Sequence, residues 1–406
     1  MNILSPPNIS ITMIQESPVT RPFDPTTIDF FSNLSDHLFT EQKFQAFPEL
    51  IALAFWLRKG NLQKLQRNLE PTQDTFFLAR GIVFHIAPSN VDTIFIYSWV
   101  ISALVGNKNI LRVSSKKSTQ MDLLINALNH LEKDPKFTAF CKRYMIISYP
   151  HDTQTTEALS AICDMRAIWG GDQTISTIRS CKLPAHAKEI VFSDKFSACA
   201  IQAKNYCIEK NTEDLISKFI ADTYFFDQLG CSSPKLVYWV GTPSDCTEAK
   251  TKFWKALHSK LTTQNRDISS SGVLSKLATT HTLAINNPTF KVVEQTNTVV
   301  RLAFNSISDI DRERHCGEGL FYEVESPSLA DLFIHSTPKD QTLTLFGFSK
   351  EDILNTIKNH PPRGFSRFVP IGTALDFHIH WDGYNLLREF SREIVLNPQF
   401  FKKSDP

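Results

Sequence analysis

Ile82-Val83-Phe84-His85-Ile86-Ala87, followed by Pro88-Ser89-Asn90 and the apolar run Val91 to Val105, has the form of a buried strand that turns directly into a core helix. The run is interrupted by Asp92, Thr93, Ser98 and Ser102 and is shorter than the about 20 residues that a membrane span needs. Gly106-Asn107 stops it. The same alternation then repeats, with strands expected over Asn109–Val113, Tyr144–Ser148, Arg166–Trp169 and Glu189–Ser193. Between them lie helical patterns. Met121, Leu124, Leu128 and Leu131 form a stripe capped by Ser118 or Thr119 and broken by Asp134-Pro135, and Thr155–Cys163 and Gln173–Ser180 complete the set. Five short strands joined by helical crossovers predict a Rossmann-type parallel sheet.

Outward from this block, Met1 to Pro25 reads as a polar, proline-bearing lead-in, and Phe30 to Leu69 carries helical patterning. Downstream, a helix capped by Asn211 or Thr212, with Glu213 and Asp214 in its first turn, delivers the chain to Phe225-Phe226-Asp227-Gln228-Leu229-Gly230-Cys231-Ser232-Ser233-Pro234. A strand Leu236–Val240, a helix near Ser244–Leu261, strands around Lys291–Phe304 and Leu320–Val324, and a strand and helix over Thr342–Lys358 follow. The expected fold class is therefore α/β, with a Rossmann-type parallel-sheet cofactor domain and a second α/β catalytic domain. The expected limits are 1–75 for the lead-in and helical segment, 76–200 for the cofactor domain, 201–370 for the catalytic domain and 371–406 for a C-terminal segment.

The 406-residue chain suits two domains, and 42% hydrophobic with 21% charged residues suits a soluble globular protein. A net charge of +1 gives no global field to draw nucleic acid or an anionic membrane. Glycine is scarce at 14 residues whereas phenylalanine numbers 31, an imbalance that fits bulky cores, interfaces or a lipophilic channel. The eight cysteines form no C-x-x-C pair, so no structural metal is expected. With no signal segment in evidence, free thiols predict a cytoplasmic location and no integral membrane segment.

Cys231 stands where a helix gives way to a buried strand. Gly230 is expected to end the helix with positive φ, and Pro234 forbids helix continuation, so the sulfur would be held on a stiff turn as a nucleophile is. A small buried cysteine is the alternative. Ala87, Pro88, Ser89 and Asn90 follow the first strand, in the crevice where open α/β sheets bind ligands, and Asn90 serves either as a helix cap or as an oxyanion donor. Arg112, Ser114, Ser115, Lys116 and Lys117 follow the second strand, where a cation favours a 2′-phosphate and hence NADPH over NADH, unless the loop is merely solvated. Gly170 and Gly171 follow the fourth strand and allow close approach to a pyrophosphate, although G-x-G-x-x-G is absent. Alternating His378 and His380 would share a strand face, but no third ligand accompanies them, and His315 reads as a surface histidine.

The order of these motifs resembles the aldehyde dehydrogenase superfamily. More narrowly, His85-Ile86-Ala87-Pro88-Ser89-Asn90, Gly106-Asn107-Lys108-Asn109-Ile110, Trp169-Gly170-Gly171-Asp172, Cys231-Ser232-Ser233-Pro234, and Val369-Pro370-Ile371-Gly372 with Trp381-Asp382-Gly383-Tyr384 are similar to the acyl-CoA reductase family of the LuxC type, over about Phe77 to Ile394. The resemblance implies an NADPH-dependent reduction of a fatty acyl thioester to an aldehyde. Cys231 would carry the acyl group while its own N–H and the Asn90 amide hold the oxyanion. Arg112 and Ser114 would face the adenosine ribose, and Gly171 with Asp172 the pyrophosphate. Asp172 departs from the pattern, since a carboxylate beside a pyrophosphate is unfavourable unless it turns away to cap a helix beginning at Gln173. Glu318, in His315-Cys316-Gly317-Glu318-Gly319, is an acid/base candidate. The resemblance also implies an acyl-CoA or acyl-carrier substrate, a possible acyl-activating synthetase partner, a homo-oligomer, and residues 371–406 packing back near the active site. Two other readings use the same residues: an acyltransferase or thioesterase that needs Cys231 but no nicotinamide, and a silent scaffold.

Overall fold

Strand Ile82–Ile86 is buried along its whole length because both its neighbours are parallel strands: Lys108–Val113 on one side and Met165–Trp169 on the other. In the computed structural model, which describes residues 1–70, 74–87, 94–116, 118–266, 269–286 and 290–397, the full order of this sheet is Asn2–Ser5, Tyr144–Ser148, Lys108–Val113, Ile82–Ile86, Met165–Trp169, Lys188–Phe192. Numbered along the chain, the five parallel strands run 3-2-1-4-5, the order that creates a ligand-binding switch point beside the first strand. The expected strands match to within a residue. The sixth strand does not follow the expected lead-in: Asn2–Ser5 pairs antiparallel with Tyr144–Ser148, and Ser5 is wholly buried.

The helices cover this sheet. Helix Pro25–Thr40 begins at Asp24, whose carboxylate accepts the Thr27 N–H at 3.3 Å, and it buries Phe30, Phe31, Leu34 and Leu38. Phe30 packs against Trp99, Phe137, Phe140 and Tyr144 with centroids 4.4–6.5 Å away, so part of the phenylalanine excess fills this core. Helix Ile94–Leu104 supplies Trp99, Val100, Ile101 and Leu104 to the same interior. One polar network crosses it. His85 meets Ser98 Oγ at 3.0 Å through Nδ1 and Asn109 Oδ1 at 3.0 Å through Nε2, while Asn107 Nδ2 donates to the Phe390 carbonyl at 2.8 Å. Burial pushes the His85 imidazole down to about 4, so it stands neutral.

The chain forms two compact units, Met1–Ser193 with Ile379–Pro406, and Asp194–His378. The first unit recovers its C-terminal residues through a ribbon in which Ser391–Val395 pairs antiparallel with Thr75–Ala79. The second contains a seven-stranded sheet ordered Lys291–Gln295, Val300–Ala303, Leu320–Ser326, Pro234–Val240, Phe196–Gln202, Asp340–Phe346, Arg367–Pro370. All neighbours are parallel except the first pair. Helices Thr212–Tyr224 and Pro243–Thr263 pack Phe219, Phe253 and Trp254 onto one face through Val237, Trp239 and Phe321. Helix Ser270–Asn286 and strand Phe196–Gln202 were not expected from the sequence.

Candidate active site

Helix Thr212–Tyr224 ends earlier than expected, and Phe225–Ser233 forms a turn that leads into strand Pro234–Val240. Gly230 does not take positive φ. The left-handed residues are Asp227 and Gln228, at φ 48° and 62°, while a methyl at Gly230 would stand 3.1 Å from Ser233 Oγ and 3.3 Å from Leu375 Cδ2, a close fit that those two side chains would have to relieve. Two consecutive non-glycine residues in this region store strain that only surrounding contacts can hold. Those contacts are visible. Buried Gln228 donates from Nε2 to the Pro234 carbonyl at 2.8 Å and accepts the Gly319 N–H at 3.0 Å, stitching both flanks of the turn to the segment Gly317–Gly319. Glu318 N–H donates to the Asp227 carbonyl at 2.7 Å, and buried Lys276 holds the Glu318 carbonyl at 2.6 Å.

Cys231 sits half-buried at the amino-terminal edge of the second sheet. Its carbonyl accepts from Ser197 Oγ at 2.8 Å, and that hydroxyl accepts the Thr342 N–H at 3.2 Å, so two neighbouring strands fix the residue's backbone. Its Sγ accepts from Gln341 Nε2 at 3.6 Å. Lys235, four residues on, is buried with its ammonium donating to the Lys195 carbonyl at 3.2 Å. Burial pushes that ammonium down, while Asp194 and Cys231 act on it in the opposite sense.

The other seven thiols are raised by burial. Burial pushes Cys141, Cys163 and Cys199 up to about 12 and Cys246 to about 11, and raises Cys181, Cys207 and Cys316 as well. Gln228, Ser197 and Gln341 were not singled out in the sequence, because each reaches the turn through strand register or tertiary contact rather than local spacing. Gln228→Leu leaves the Gly319 N–H and Pro234 carbonyl unpaired in the interior, and a loss of about 2–3 kcal/mol is expected in urea denaturation.

Glu318 has φ 60° between two left-handed glycines, and burial followed by the Asp227 charge pushes its carboxyl up. The structure thus brings the Glu318 backbone against the turn that carries Cys231. His315 is partly buried rather than fully exposed: burial and then the Lys235 ammonium hold its imidazole well below its usual range, and Nδ1 accepts the Gly317 N–H at 3.1 Å. The remaining proton is therefore on Nε2, which has no hydrogen-bond partner. His378 and His380 are both exposed, and the strand there covers only His380–Trp381. Among the described residues no group of three histidine, cysteine or carboxylate side chains could hold a metal.

In the first unit a cavity of about 440 Å³ opens at the carboxyl ends of the parallel strands. Ile86, Arg112, Tyr149 and Asp152 line it, together with Gln173 and Thr174 from the first turn of helix Asp172–Arg179. Arg112 lies with its guanidinium 5.2 Å from the Tyr149 ring centroid, and its buried Nε has no hydrogen-bond partner. A cation with an unused buried donor, beside the start of a helix, fits a phosphorylated ligand. Ala87 is buried, with its N–H donating to the Arg112 carbonyl at 2.9 Å, and Ser114 Oγ accepts the Lys116 N–H at 3.2 Å. Gly170 donates to the Phe192 carbonyl at 3.1 Å. The helix begins one residue earlier than expected, with Gly171 as its N-cap and Asp172 exposed in its first turn, so Asp172 does not cap it. Pro88, Ser89, Asn90 and Lys117 lie outside the described residues.

Comparison with known proteins gives this pair of sites a family. A model of acyl-CoA reductase (LuxC) matches residues 58–393. The chain belongs to the acyl-CoA reductase (LuxC) family. Long-chain acyl-protein thioester reductase of Aliivibrio fischeri is 26% identical over 164 residues, covering 40% of this chain and 32% of that protein. Its counterpart in Photorhabdus laumondii is 26% identical over 178 residues, covering 42% and 35%. The matched stretches thus span about a third of these curated relatives. Among solved structures, glyceraldehyde-3-phosphate dehydrogenase GapN of Methanocaldococcus jannaschii, complexed with NADP, superposes with a TM-score of 0.65 at 12% identity, covering 94% of this chain and 90% of that one. Lactaldehyde dehydrogenase of Escherichia coli gives 0.62 at 11% identity, covering 92% and 84%. This LuxC-family chain therefore has the aldehyde dehydrogenase fold. Among its described residues no helix is long and apolar enough to cross a membrane.

Proposed function

We propose that the chain reduces a fatty acyl thioester to an aldehyde with NADPH, by way of an acyl group carried on Cys231. The observation that carries this reading is the mount of Cys231: a half-exposed thiol on a strained, internally stitched turn, with an amide donor on its sulfur and seven sibling thiols suppressed by burial. Family membership supports the same chemistry.

Cys231 as thiolate attacks the thioester carbonyl, and the carrier leaves as its thiol. The Cys231 N–H and the Asn90 amide are the proposed oxyanion donors. Gln341 steadies the sulfur in both charge states, and Gln228 with Ser197 keeps the turn from relaxing. When bound, the reduced nicotinamide supplies the hydride that the acyl carbon requires. Arg112 and Ser114 are proposed to take the adenosine ribose and its 2′-phosphate, and Gly170, Gly171 and the amides of the following helix the pyrophosphate, with Ala87, Pro88 and Ser89 as further proposed cofactor contacts. Asp152 lines the same cavity and accepts the Gln154 N–H at 3.0 Å as the cap of helix Thr153–Ala161. The Arg112 cation is what supports NADPH over NADH. Glu318 is proposed as the group that moves a proton at the acyl oxygen, favoured there by its raised carboxyl.

The names of the curated relatives support a protein-bound acyl donor, with acyl-CoA as the soluble equivalent and an acyl-activating synthetase as the partner that would load it. A homo-oligomer working in the cytoplasm completes the proposal. Mixing the protein with acyl-CoA and NADPH and following nicotinamide absorbance tests it. Oxidation of one NADPH per aldehyde is expected; acyl turnover without NADPH oxidation would favour the acyltransferase or thioesterase reading. For the cofactor, Arg112→Ala is expected to weaken NADPH binding about tenfold and NADH binding about twofold, read by fluorescence titration.

A further inference from the structure

Beside the polar braces of Cys231, its turn carries large apolar side chains that are uncovered to a degree the acylation chemistry alone does not require. Phe225 and Leu229 are 38% and 47% exposed, and Phe225 meets Phe226 edge to face with centroids 4.7 Å apart. A methyl at Gly230 would stand 3.3 Å from Leu375 Cδ2 and 3.8 Å from Phe226 Cδ2, so those two side chains converge on the residue before Cys231. Leu229 reaches the other flank, where a methyl at Gly317 would stand 3.1 Å from its Cδ2. Scattered exposed apolar side chains are ordinary on a protein surface. Several gathered on the one turn that carries a partly buried thiol are not, and such a patch marks a binding surface.

Leu375 is also held in place with unusual thoroughness. The buried Asp222 carboxylate accepts the Gly372 N–H at 2.6 Å and the Ala374 N–H at 2.9 Å. From the other side the Arg367 guanidinium donates to the carbonyls of Ala374 at 3.1 Å, Thr373 at 3.3 Å and Asp376 at 3.1 Å. Two buried ionisable side chains thus satisfy the backbone of one short loop, an expensive arrangement whose result is a Leu375 side chain fixed against Gly230.

We propose that Phe226, Leu229 and Leu375 form a wall that grips the alkyl chain of the acyl group on Cys231 and sets the preference for long, apolar acyl chains, an inference that rests on the acyl-cysteine reading above. In the step concerned, the Cys231 Sγ–acyl carbon bond forms as the carrier's carbon–sulfur bond breaks, and the carrier leaves as a thiol with the proton that Cys231 gave up. The chain then lies along the wall. Each methylene so covered is worth about fourfold in affinity, so a few covered carbons separate long acyl groups from acetyl by more than tenfold.

The full-length protein is incubated with acetyl-CoA, octanoyl-CoA or tetradecanoyl-CoA without NADPH, and the rate at which the acyl adduct appears on Cys231 is read by intact and peptide mass spectrometry. The ratio of the tetradecanoyl rate to the acetyl rate is expected to fall about tenfold in Leu375→Ala and in Leu229→Asn. Leu354→Ala, which alters a 43% exposed leucine on helix Lys350–Asn359, is expected to keep the wild-type ratio. A general disturbance of the turn lowers both rates together, so an unchanged ratio in Leu375→Ala and Leu229→Asn overturns the wall. A wild-type protein that takes no acyl group from any donor instead overturns the acyl-cysteine reading, and the wall with it.

Discussion

Cys231→Ser is expected to abolish acyl attachment and to lower reductase turnover by a factor on the order of 10³ or more. A serine hydroxyl at the same position keeps the size and the backbone bonds to Ser197 but has no appreciable anionic form near neutral pH, so the attacking group is lost while the mount is retained. The other seven cysteines make the test clean. Each is held in its thiol form by burial, and Cys316, the one nearest in sequence to Glu318, remains in the variant as an internal control. Wild-type protein treated with limiting iodoacetamide at pH 7.5 should carry one label, on Cys231. An acyl adduct that persists in Cys231→Ser, or a first label on any other cysteine, would move the chemistry elsewhere.

A second large effect concerns acid. The folded first unit holds His85 neutral down to about pH 4, whereas an unfolded chain protonates its histidines near 6.5. Between those values the unfolded state binds the extra proton, so stability is complete above about pH 6.5 and falls as pH falls toward 4. The two pKa values differ by about 2.5 units, or about 3 kcal/mol in all, of which about 2 kcal/mol is gone by pH 5. His85→Gln keeps an amide between Ser98 and Asn109 but cannot titrate. Urea denaturation at pH 7.5 and pH 5 should therefore show wild type losing about 2 kcal/mol more than the variant, and equal losses would mean that His85 is protonated in the native protein.

The division between what could and could not be read from the sequence follows the range of the interactions. The five parallel strands and their crossovers were legible because their apolar runs are short, buried on both faces and punctuated by Gly106-Asn107 and Asp134-Pro135. Strand Asn2–Ser5 was not, since a four-residue edge strand before Pro6-Pro7 has no periodicity to detect. Thr75–Ala79 finds its partner at Ser391–Val395, more than 300 residues away, and leaves Phe76 and Leu78 largely exposed, so neither pattern nor burial announces it. Helix Ser270–Asn286 likewise exposes Leu274, Leu277 and Ile285. As candidates, Cys231 and Arg112 could be singled out from local order along the chain. The residues that brace Cys231 were not: Ser197 and Gln341 come from adjacent strands, and the positive φ expected at Gly230 falls instead on Asp227 and Gln228.

The return of residues 379–397 to the first unit sets a timetable for biosynthesis. Strand Ser391–Val395 and Phe390, whose carbonyl receives Asn107, leave the ribosome after every strand of the Asp194–His378 unit has emerged. The unit that starts first is thus finished last, against the usual order in which amino-terminal domains mature ahead of those behind them. Released chains truncated before residue 390 should contain a protease-resistant Asp194–His378 body attached to a still-cleavable amino-terminal half.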